Sequence, residues 1–280
     1  MNEIELIGEI TRWAAARQQR GDVVLGIGDD CAVFRPRKNE DLLLKTDPMI
    51  EDVHFRRALD PRVVGQRALG RNLSDIAAMG GEARACVVSL AIPKEINHDW
   101  VKRFYQGLLQ LAKKYGAVLA GGHLAIAEKI HIDVTVIGEV PRGKALRRDG
   151  AKFGDLLYVS GRLGKSWERP IQPRLTLGQK LLGRASSCID ISDGLALDLH
   201  RLCLASGKAA ILDNVPRLPG VGLERALHGG EDYELLFTMS ARKVPPRGAI
   251  RIGTIAQGTP GAISWQGKQL APRGFQKWFR

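Results

Sequence analysis

Short apolar segments with strand character alternate with amphipathic helical segments along the whole 280-residue chain. A chain of this length can bury a substantial core, either as one large domain or as two medium ones. Strands and helices mixed in both halves predict an α/β (α+β) protein with two related domains. Pro141-Arg142-Gly143 is the best candidate boundary, so the predicted domains are residues 1–141 and 142–280.

Hydrophobic periodicity predicts the individual elements of this pattern. The predicted helices cover residues 3–17, 60–79, 98–115, 175–182 and 195–205, with a further short one ending at 228. The predicted strands cover residues 41–46, 85–92, 117–120, 130–140, 155–160, 187–191, 209–212 and 233–239. Asn97 and Gly116 have the residue types that begin and end a helix, so the helix between them is sharply bounded.

The charge of the chain is strongly positive, at +12, and unevenly distributed. Acidic residues gather in short clusters, whereas every charged residue after Glu234 is basic. Basic surface around concentrated acidic sites suits an anionic ligand that is bound together with metal ions. Nucleic acid is a less expected partner, because no stretch interleaves aromatic and basic residues as single-strand binders do.

Membrane and secretion signals are missing from the sequence. No run of 18 apolar residues occurs, and the N-terminal segment carries acids where a signal peptide carries bases. A cytoplasmic protein without a membrane span is therefore expected. The four cysteines are scattered without a Cys-x-x-Cys pair, which favours reduced, mostly buried thiols over disulfides or a zinc site.

Two adjacent carboxylates, Asp29 and Asp30, follow a Gly-x-Gly turn that ends at Gly28. Neighbouring acids repel each other by roughly 1 kcal/mol in water and by more in a partly buried site, so a bound cation would stabilise them. Oxygen ligands without a Cys or His cluster favour Mg²⁺ over Zn²⁺. Taken alone, the pair is equally compatible with a solvated loop.

Further acids lie where an ordinary structural role explains them less well. Asp47 ends a predicted strand, and Asp75 lies near a helix C-terminus, where the helix dipole disfavours an acid. Ser192 or Asp193 can cap the helix that follows them, but this role does not explain Asp190. His54 is either a ligand-contacting group or a half-buried strand residue.

Several enzyme classes are excluded by their missing motifs. The chain has no G-x-x-x-x-G-K-S/T phosphate loop and no Gly-x-Ser-x-Gly elbow. The motifs that it does have occur in a fixed order: Gly28-Asp29-Asp30, Lys45-Thr46-Asp47, Asn72-Leu73-Ser74-Asp75, Asp190-Ile191-Ser192-Asp193-Gly194 and Gly229-Gly230-Glu231-Asp232-Tyr233-Glu234. This ordered set resembles the thiamine-monophosphate kinases, within the superfamily of aminoimidazole ribonucleotide synthetase and selenophosphate synthetase.

The resemblance implies a fold, an activity and a set of site residues. The fold would be the two-domain aminoimidazole ribonucleotide synthetase-like fold, with an ATP- and Mg²⁺-binding N-terminal domain whose sheets pair in a homodimer. The activity would be phosphorylation of thiamine monophosphate by ATP, through direct Mg²⁺-assisted in-line transfer without a dedicated catalytic side chain.

The implied metal ligands are Asp30, Asp47, Asp75, Asp190 and Asp193. The implied nucleotide-binding residues are Thr46, Gly122, His123, Arg148 and Ser192. The implied substrate-binding residues are His54, Glu231 and Phe275, the last by ring stacking.

Three departures from the family pattern leave alternatives open. His123 stands in place of a metal-ligating aspartate, Lys45 in place of a small hydroxyl residue, and the 161–185 segment is short. One alternative is a divergent relative with another phosphate acceptor or weak activity. The other is a non-catalytic basic binding protein.

Overall fold

The computed structural model describes residues 3–15, 23–25, 33–34 and 36–275, and these form two compact units. Unit 1 comprises the described residues of Met1–Ile76, Glu82–Gly143 and Trp167–Gln172. Unit 2 comprises Ala77–Gly81, Lys144–Ser166 and the described residues of Pro173–Arg280. Each unit contains both helices and strands, which confirms the predicted mixed α/β class.

Unit 1 is built from three helices and six strands among its described residues. The helices are α1 (Glu3–Ala15), α2 (Pro61–Ala78, whose last two residues belong to unit 2) and α3 (His98–Tyr115). The strands are β1 (Val23–Leu25), β2 (Val33–Phe34), β3 (Glu40–Ile50), β4 (Glu82–Ile92), β5 (Val118–Ile126) and β6 (His131–Pro141). β1 and β2 pair with each other, and the remaining strands form a sheet in the order β3-β6-β4-β5. Only β4 and β5 run parallel in this four-stranded sheet.

Helices α2 and α3 approach each other very closely through two glycines. A Cβ atom added to Gly65 would lie 2.0 Å from the Phe104 carbonyl oxygen, and one added to Gly107 would lie 1.9 Å from that of Arg62. Any larger residue at either position would push the helix backbones apart. Helix α3 begins at Asn97, whose side chain accepts a hydrogen bond from the Trp100 N–H at 2.9 Å, as its sequence predicts.

Unit 2 contains one seven-stranded sheet and three further helices. The strands are β7 (Leu156–Val159), β8 (Ser187–Asp190), β9 (Ala209–Leu212), β10 (Leu235–Met239), β11 (Ile250–Ala256), β12 (Ile263–Trp265) and β13 (Lys268–Gln269). The helices are α4 (Leu175–Leu181), α5 (Leu195–Ala205) and α6 (Leu223–His228). The strand order is β13-β12-β9-β11-β7-β10-β8, with β9 and β12 the parallel pair. The buried face of α5 packs with sheet residues in a core that includes Ile189, Leu199 and Leu236.

Three strands, β3, β4 and β5, are longer than their sequence predicts, and in β3 and β5 this changes the position of candidate residues. β3 pairs with β6 without interruption from Glu40 to Ile50, so Asp47 lies inside the strand and not at its end. β5 continues to Ile126, so Gly122 and His123 are strand residues. Strands β11 to β13 lie in a region where periodicity predicted none. In each case, pairing with a neighbouring strand overrides the weak local pattern.

The described cysteines agree with the expectation of buried thiols. Cys86, Cys188 and Cys203 are buried free thiols, and burial raises the pKa of each thiol. No helix in the described part of the chain has the length and apolar character needed to cross a membrane.

Candidate functional site

Two candidate carboxylates of unit 1 belong to a cluster of four charges, which we call the quartet. Lys45 and Asp47 lie on β3, and Arg71 and Asp75 lie on α2. The Lys45 ammonium lies 3.2 Å from the Asp75 carboxylate, and the Arg71 Nε donates to Asp47 Oδ2 at 3.0 Å. Each acid of the quartet is therefore paired with a base from the facing element.

Thr46 points away from the quartet, because successive strand residues face opposite sides of a sheet. Its hydroxyl accepts a hydrogen bond from Thr135 Oγ1 at 3.0 Å and donates one to the Val134 carbonyl at 3.4 Å. Thr46 is exposed, so its predicted contact with nucleotide is sterically open.

Sheet register separates His123 from Asp47. Asp47 pairs with Val134, which pairs with Val88, which pairs with Gly122, so these four residues face the same side. His123 follows Gly122 and therefore faces the other side, where it is exposed. A Cβ on Gly122 would lie only 2.1 Å from the Val88 carbonyl oxygen, so glycine is required there. Within unit 1, the structure thus does not bring His123 to Asp47.

His54 lies in a turn directly after β3. Its Nδ1 accepts a hydrogen bond from the Ile50 N–H at 3.0 Å, which places the ring proton of neutral His54 on Nε2. The turn is anchored by buried Glu51, which pairs with Arg57 at 2.5 Å and accepts the Ile130 N–H at 3.0 Å. Hydrogen bonds from the Arg57 guanidinium hold the pKa of Glu51 below its usual value.

In unit 2, the carboxylate of Asp198 organises the loop that precedes α5. Its Oδ2 accepts the backbone N–H groups of Ser192, Asp193 and Gly194, at 3.1, 3.0 and 3.1 Å. Arg201 bridges Asp198 and Asp193, at 2.8 and 2.5 Å. The interpretation of Ser192 or Asp193 as the helix cap was wrong: the N-cap is Gly194, which makes no side-chain capping hydrogen bond, and Asp198 in the first turn instead accepts the amides of the loop before the helix. Burial, followed by the charge of Asp193, raises the pKa of Asp198 to about 6.

Asp190 adjoins this loop, whereas the Arg148 backbone lies near the opposite end of α5. Asp190 is the last residue of β8 and is buried, with 6% of its surface exposed. The Arg147 carbonyl accepts the Cys188 N–H at 2.9 Å, so the segment that carries Arg148 runs beside β8. The Arg148 carbonyl accepts a hydrogen bond from Ser206 Oγ at 2.8 Å, and the residue itself is exposed.

A second loop of unit 2 is joined to the first through backbone hydrogen bonds. The N–H of Glu231 donates to the Ser192 carbonyl at 2.8 Å, and the N–H of Tyr233 donates to the Ile191 carbonyl at 2.7 Å. Glu231 and Tyr233 both have positive φ, at 65° and 50°, which is a strained conformation for non-glycine residues. The Tyr233 hydroxyl donates to Glu231 Oε1 at 3.2 Å.

The C-terminal segment of the described chain reaches the same place. The Phe275 N–H donates to the Asp193 carbonyl at 3.0 Å, and the residue is 47% exposed. Gly274 lies against the chain here, since a Cβ on it would lie 2.5 Å from the Asp193 carbonyl oxygen. Phe275 therefore lies beside the Ser192–Asp193 loop with an exposed ring.

Glu234 is the most heavily paired acid of unit 2. Its carboxylate, 1% exposed, accepts from Lys165 Nζ at 2.5 Å and from Arg174 at 2.5 and 2.7 Å. It also accepts a hydrogen bond from the Ser160 hydroxyl. Burial alone raises the pKa of Glu234, but the hydrogen bonds and charges of Arg174 and Lys165 outweigh it and hold the pKa below its usual value.

Asp232, two residues earlier, is also buried, but its carboxylate accepts hydrogen bonds from only two backbone N–H groups among the described residues. Its Oδ1 accepts the N–H groups of Gly164 and Lys165 at 2.7 and 2.9 Å, whereas Oδ2 has no hydrogen-bond partner among the described residues. Burial raises the pKa of Asp232 to about 6, with a smaller contribution from the charge of Glu234. The side chain is only 1% exposed.

The raised pKa of Asp232 predicts a pH-dependent effect of Asp232→Asn. Between the ordinary pKa of aspartate, about 3.9, and about 6, folded Asp232 holds a proton that the unfolded chain has released. The stability that this proton provides is complete below the pKa of the unfolded state, about 3.9, and is lost as the pH rises through the pKa of the folded state, about 6. Asparagine stays neutral and keeps an oxygen for the two N–H groups. We expect Asp232→Asn to stabilise the protein by about 1–2 kcal/mol at pH 8 and to have little effect near pH 4.

Thermal unfolding followed by circular dichroism at both pH values measures this difference. Asp213→Asn is the control, because Asp213 is 53% exposed and makes only a 3.5 Å pair with Arg251. An Asp232→Asn protein that is equally destabilised at both pH values would contradict the assignment.

The predicted metal ligands do not form a ready cation site in the described structure. Among the described residues, no three His, Cys, Asp or Glu side chains converge as a metal ion requires. Asp47 and Asp75 are each paired within the quartet, and Asp193 is paired with Arg201. Gly28, Asp29 and Asp30 lie outside the described residues.

Comparison with known proteins assigns the family. The model of the AIR synthase related protein, N-terminal domain, matches residues 28–140. The thiamine-monophosphate kinase of Bacillus subtilis (strain 168) is 34% identical, over 86% of this chain and 84% of its own. That of Salmonella typhimurium (strain LT2) is 35% identical, over 87% and 84%. The chain belongs to the thiamine-monophosphate kinase family.

Solved structures of thiamine-monophosphate kinases share this fold. The enzyme from Stenotrophomonas maltophilia K279a superposes with a TM-score of 0.85 at 32% identity, covering 96% of this chain and 98% of its own. AaThiL complexed with AMPPCP and TMP superposes with a TM-score of 0.79 at 31% identity, covering 98% of each chain. The hydrogenase maturation protein HypE in complex with ATP has a TM-score of 0.79 at 18% identity, which shows a shared fold alone.

The structure of this member of the thiamine-monophosphate kinase family brings some of the candidate residues together and leaves others apart. Ser192, Asp193, Glu231 and Phe275 are joined by backbone hydrogen bonds within unit 2. The residues that support them are Lys165, Arg174, Asp198, Arg201, Asp232 and Glu234, none of which sequence analysis assigned to the site. The signal available for two of them was the acid-rich Gly229–Glu234 motif, in which Asp232 and Glu234 prove to be buried anchors.

Proposed function

We propose that this protein transfers the terminal phosphate of ATP to thiamine monophosphate, forming ADP and thiamine diphosphate. The observation that carries this proposal is the identity of 34–35% to thiamine-monophosphate kinases over most of both chains. The likeness to a structure complexed with AMPPCP and TMP supports both ligands. Other acceptors and a purely binding role lack a comparable observation.

The reaction needs positioning and charge neutralisation more than it needs a catalytic base. An oxygen of the acceptor phosphate is already ionised near neutral pH and attacks the terminal phosphorus of ATP in line, as ADP leaves. No proton has to be removed for this step. This agrees with a chain whose motifs are rich in carboxylates and glycines but contain no activated serine or cysteine.

The nucleotide contacts in the proposal come from Thr46, Gly122, His123, Arg148 and Ser192. The substrate contacts come from His54, Glu231 and Phe275. The exposed ring of Phe275 is suited to stacking on a flat heterocycle, and its position beside Asp193 supports this role. Buried Asp198 and Glu234 would keep the loops in place while both ligands bind.

Magnesium is proposed to enter with ATP, where it would neutralise phosphate charge. Asp30, Asp190 and Asp193 remain its predicted protein ligands, and Asp193 would have to exchange its ion pair with Arg201 for the metal. Asp47 and Asp75 do not fit a resident ion as they stand, because Lys45 and Arg71 already occupy their carboxylates. We therefore assign no step to a metal held by these two residues.

A homodimer formed through unit 1 is part of the proposal, as is a cytoplasmic location. Leu42, Leu44 and Val87 are 52%, 75% and 38% exposed on the face of the four-stranded sheet that also carries Thr46. Covering such an apolar face would be favourable, at roughly 25 cal/mol per Å² of area removed from water.

An assay of the purified protein tests the proposed function. With ATP, Mg²⁺ and thiamine monophosphate, we expect equal amounts of ADP and thiamine diphosphate, separated by chromatography. Thiamine in place of its monophosphate serves as the control acceptor, and it should yield no diphosphate. ADP release without thiamine diphosphate, or binding of both ligands without turnover, would refute the proposal.

A further inference from the structure

The quartet alternates bases and acids on two facing elements. Lys45 and Asp47 are two residues apart on β3, so both side chains face α2 at a spacing of about 7 Å. Arg71 and Asp75 are one helical turn apart and share a face of α2. The two ion pairs therefore lie side by side, and each carboxylate has a base from the facing element as its partner.

The four formal charges of the quartet sum to zero, so the quartet itself carries no excess negative charge that would attract a cation. The inner pair is well shielded, with Arg71 and Asp47 side chains 11% and 21% exposed. The outer pair is more open, with Lys45 and Asp75 at 34% and 29%. Two carboxylates that approach each other without bases would attract a divalent ion, but here each already has a partner within 3.2 Å.

We propose that this corner of unit 1 takes no divalent cation, because Lys45 and Arg71 supply its positive charge. A divalent ion bound by Asp47 and Asp75 would lie beside two like charges, those of Lys45 and Arg71. At an effective dielectric constant near 20, each such repulsion amounts to several kcal/mol. The ion would have to displace both basic side chains before it could bind.

This inference deepens the proposed function, since it replaces the two implied metal ligands of the quartet, Asp47 and Asp75, by two ion pairs with basic side chains. That the quartet lies near the phosphates of ATP rests on the proposed function. The central statement of the inference concerns cation binding alone. It can therefore be tested on the full chain without any substrate.

Mn²⁺ alone is the probe, and electron paramagnetic resonance of the free ion measures its binding. We expect the double variant Lys45→Gln/Arg71→Gln to bind Mn²⁺ at least tenfold more tightly than the wild type, since two carboxylates are left without bases. Adding Asp47→Asn to the double variant should remove this gain. In the wild-type background, Asp47→Asn should leave Mn²⁺ binding unchanged.

A matched control removes the same two charges elsewhere in unit 1. Arg56 and Lys129 both pair with Asp52, at 3.2 and 3.0 Å, so Arg56→Gln/Lys129→Gln exposes a single carboxylate. We expect this control to bind Mn²⁺ as the wild type does. An equal gain in the control would overturn the inference, because net charge alone would then explain the effect.

Two further results would overturn the inference. One is a folded double variant of the quartet whose Mn²⁺ affinity does not rise. The other is a wild-type affinity that falls at least tenfold on Asp47→Asn, and this comparison holds even if the double variant fails to fold. An inactive kinase with the expected Mn²⁺ pattern would refute the proposed function and leave this inference standing.

Discussion

Replacing Glu234 by glutamine is expected to lower the free energy of unfolding by about 3 kcal/mol. The buried carboxylate holds Lys165 and Arg174, which both lie in the segment that connects β7 to α4. Glutamine has nearly the same shape but no charge, so both cations lose their countercharge. An amide nitrogen would also face a donor where the carboxylate now accepts.

Chemical denaturation with urea measures this loss, and Glu224→Gln is the matched control. Glu224 also pairs with an arginine, Arg273, at 3.0 Å, but its side chain is 71% exposed. An exposed pair contributes about 0–1 kcal/mol, so the control should unfold almost as the wild type does. Equal losses in the two variants would contradict the anchoring role of Glu234.

Replacing Asp198 by alanine is expected to lower kcat/KM for thiamine monophosphate at least about 100-fold, which corresponds to roughly 2.7 kcal/mol. Its carboxylate accepts three successive N–H groups and also pairs with Arg201. Alanine would leave these amides, of which that of Gly194 is buried, without an acceptor, at about 1–3 kcal/mol for each amide that water does not reach. The loop that carries Ser192 and Asp193 would then lose its fixed shape.

Steady-state kinetics and thermal unfolding of the same samples separate the two consequences. Asp198→Asn keeps one oxygen as an acceptor for the amides, so we expect it to retain more activity than Asp198→Ala. Asp213→Ala removes an exposed acid and should leave both measurements near the wild type. If Asp198→Ala remains folded with wild-type kinetics, the positioning role of this carboxylate is wrong.

Helices were predicted well because their signals are local. Asn97 and Gly116 act as the expected caps of α3, and the span of α5 matches its predicted residues. Strand ends were predicted less well, as β3 and β5 show. A strand ends where its partner ends, and the partner of β3 is β6, nearly a hundred residues further along the chain.

The candidate site was likewise predicted only in part from the sequence. Ordered motifs identified Ser192, Asp193, Glu231 and Phe275, and the structure places them in one neighbourhood of unit 2. Glu234, which helps to hold these loops, pairs with Arg174 and Lys165, which are 60 and 69 residues away from it in the sequence. No periodicity in the sequence connects such distant positions. Asp198 is closer in sequence but was overlooked, because a first-turn acid is normally only a favourable charge at the helix N-terminus.

The amino-acid sequence was sufficient for the family, the α/β class and the order of the motifs, since these depend on residue types and short-range spacing. It could not say which charges neutralise one another. Whether Lys45 reaches Asp75, and whether His123 faces the same side as Asp47, depends on sheet register and on how α2 packs against β3. Ion pairing follows distance in space, and only the folded chain brings residues that are 24 positions apart to within 3.0 Å.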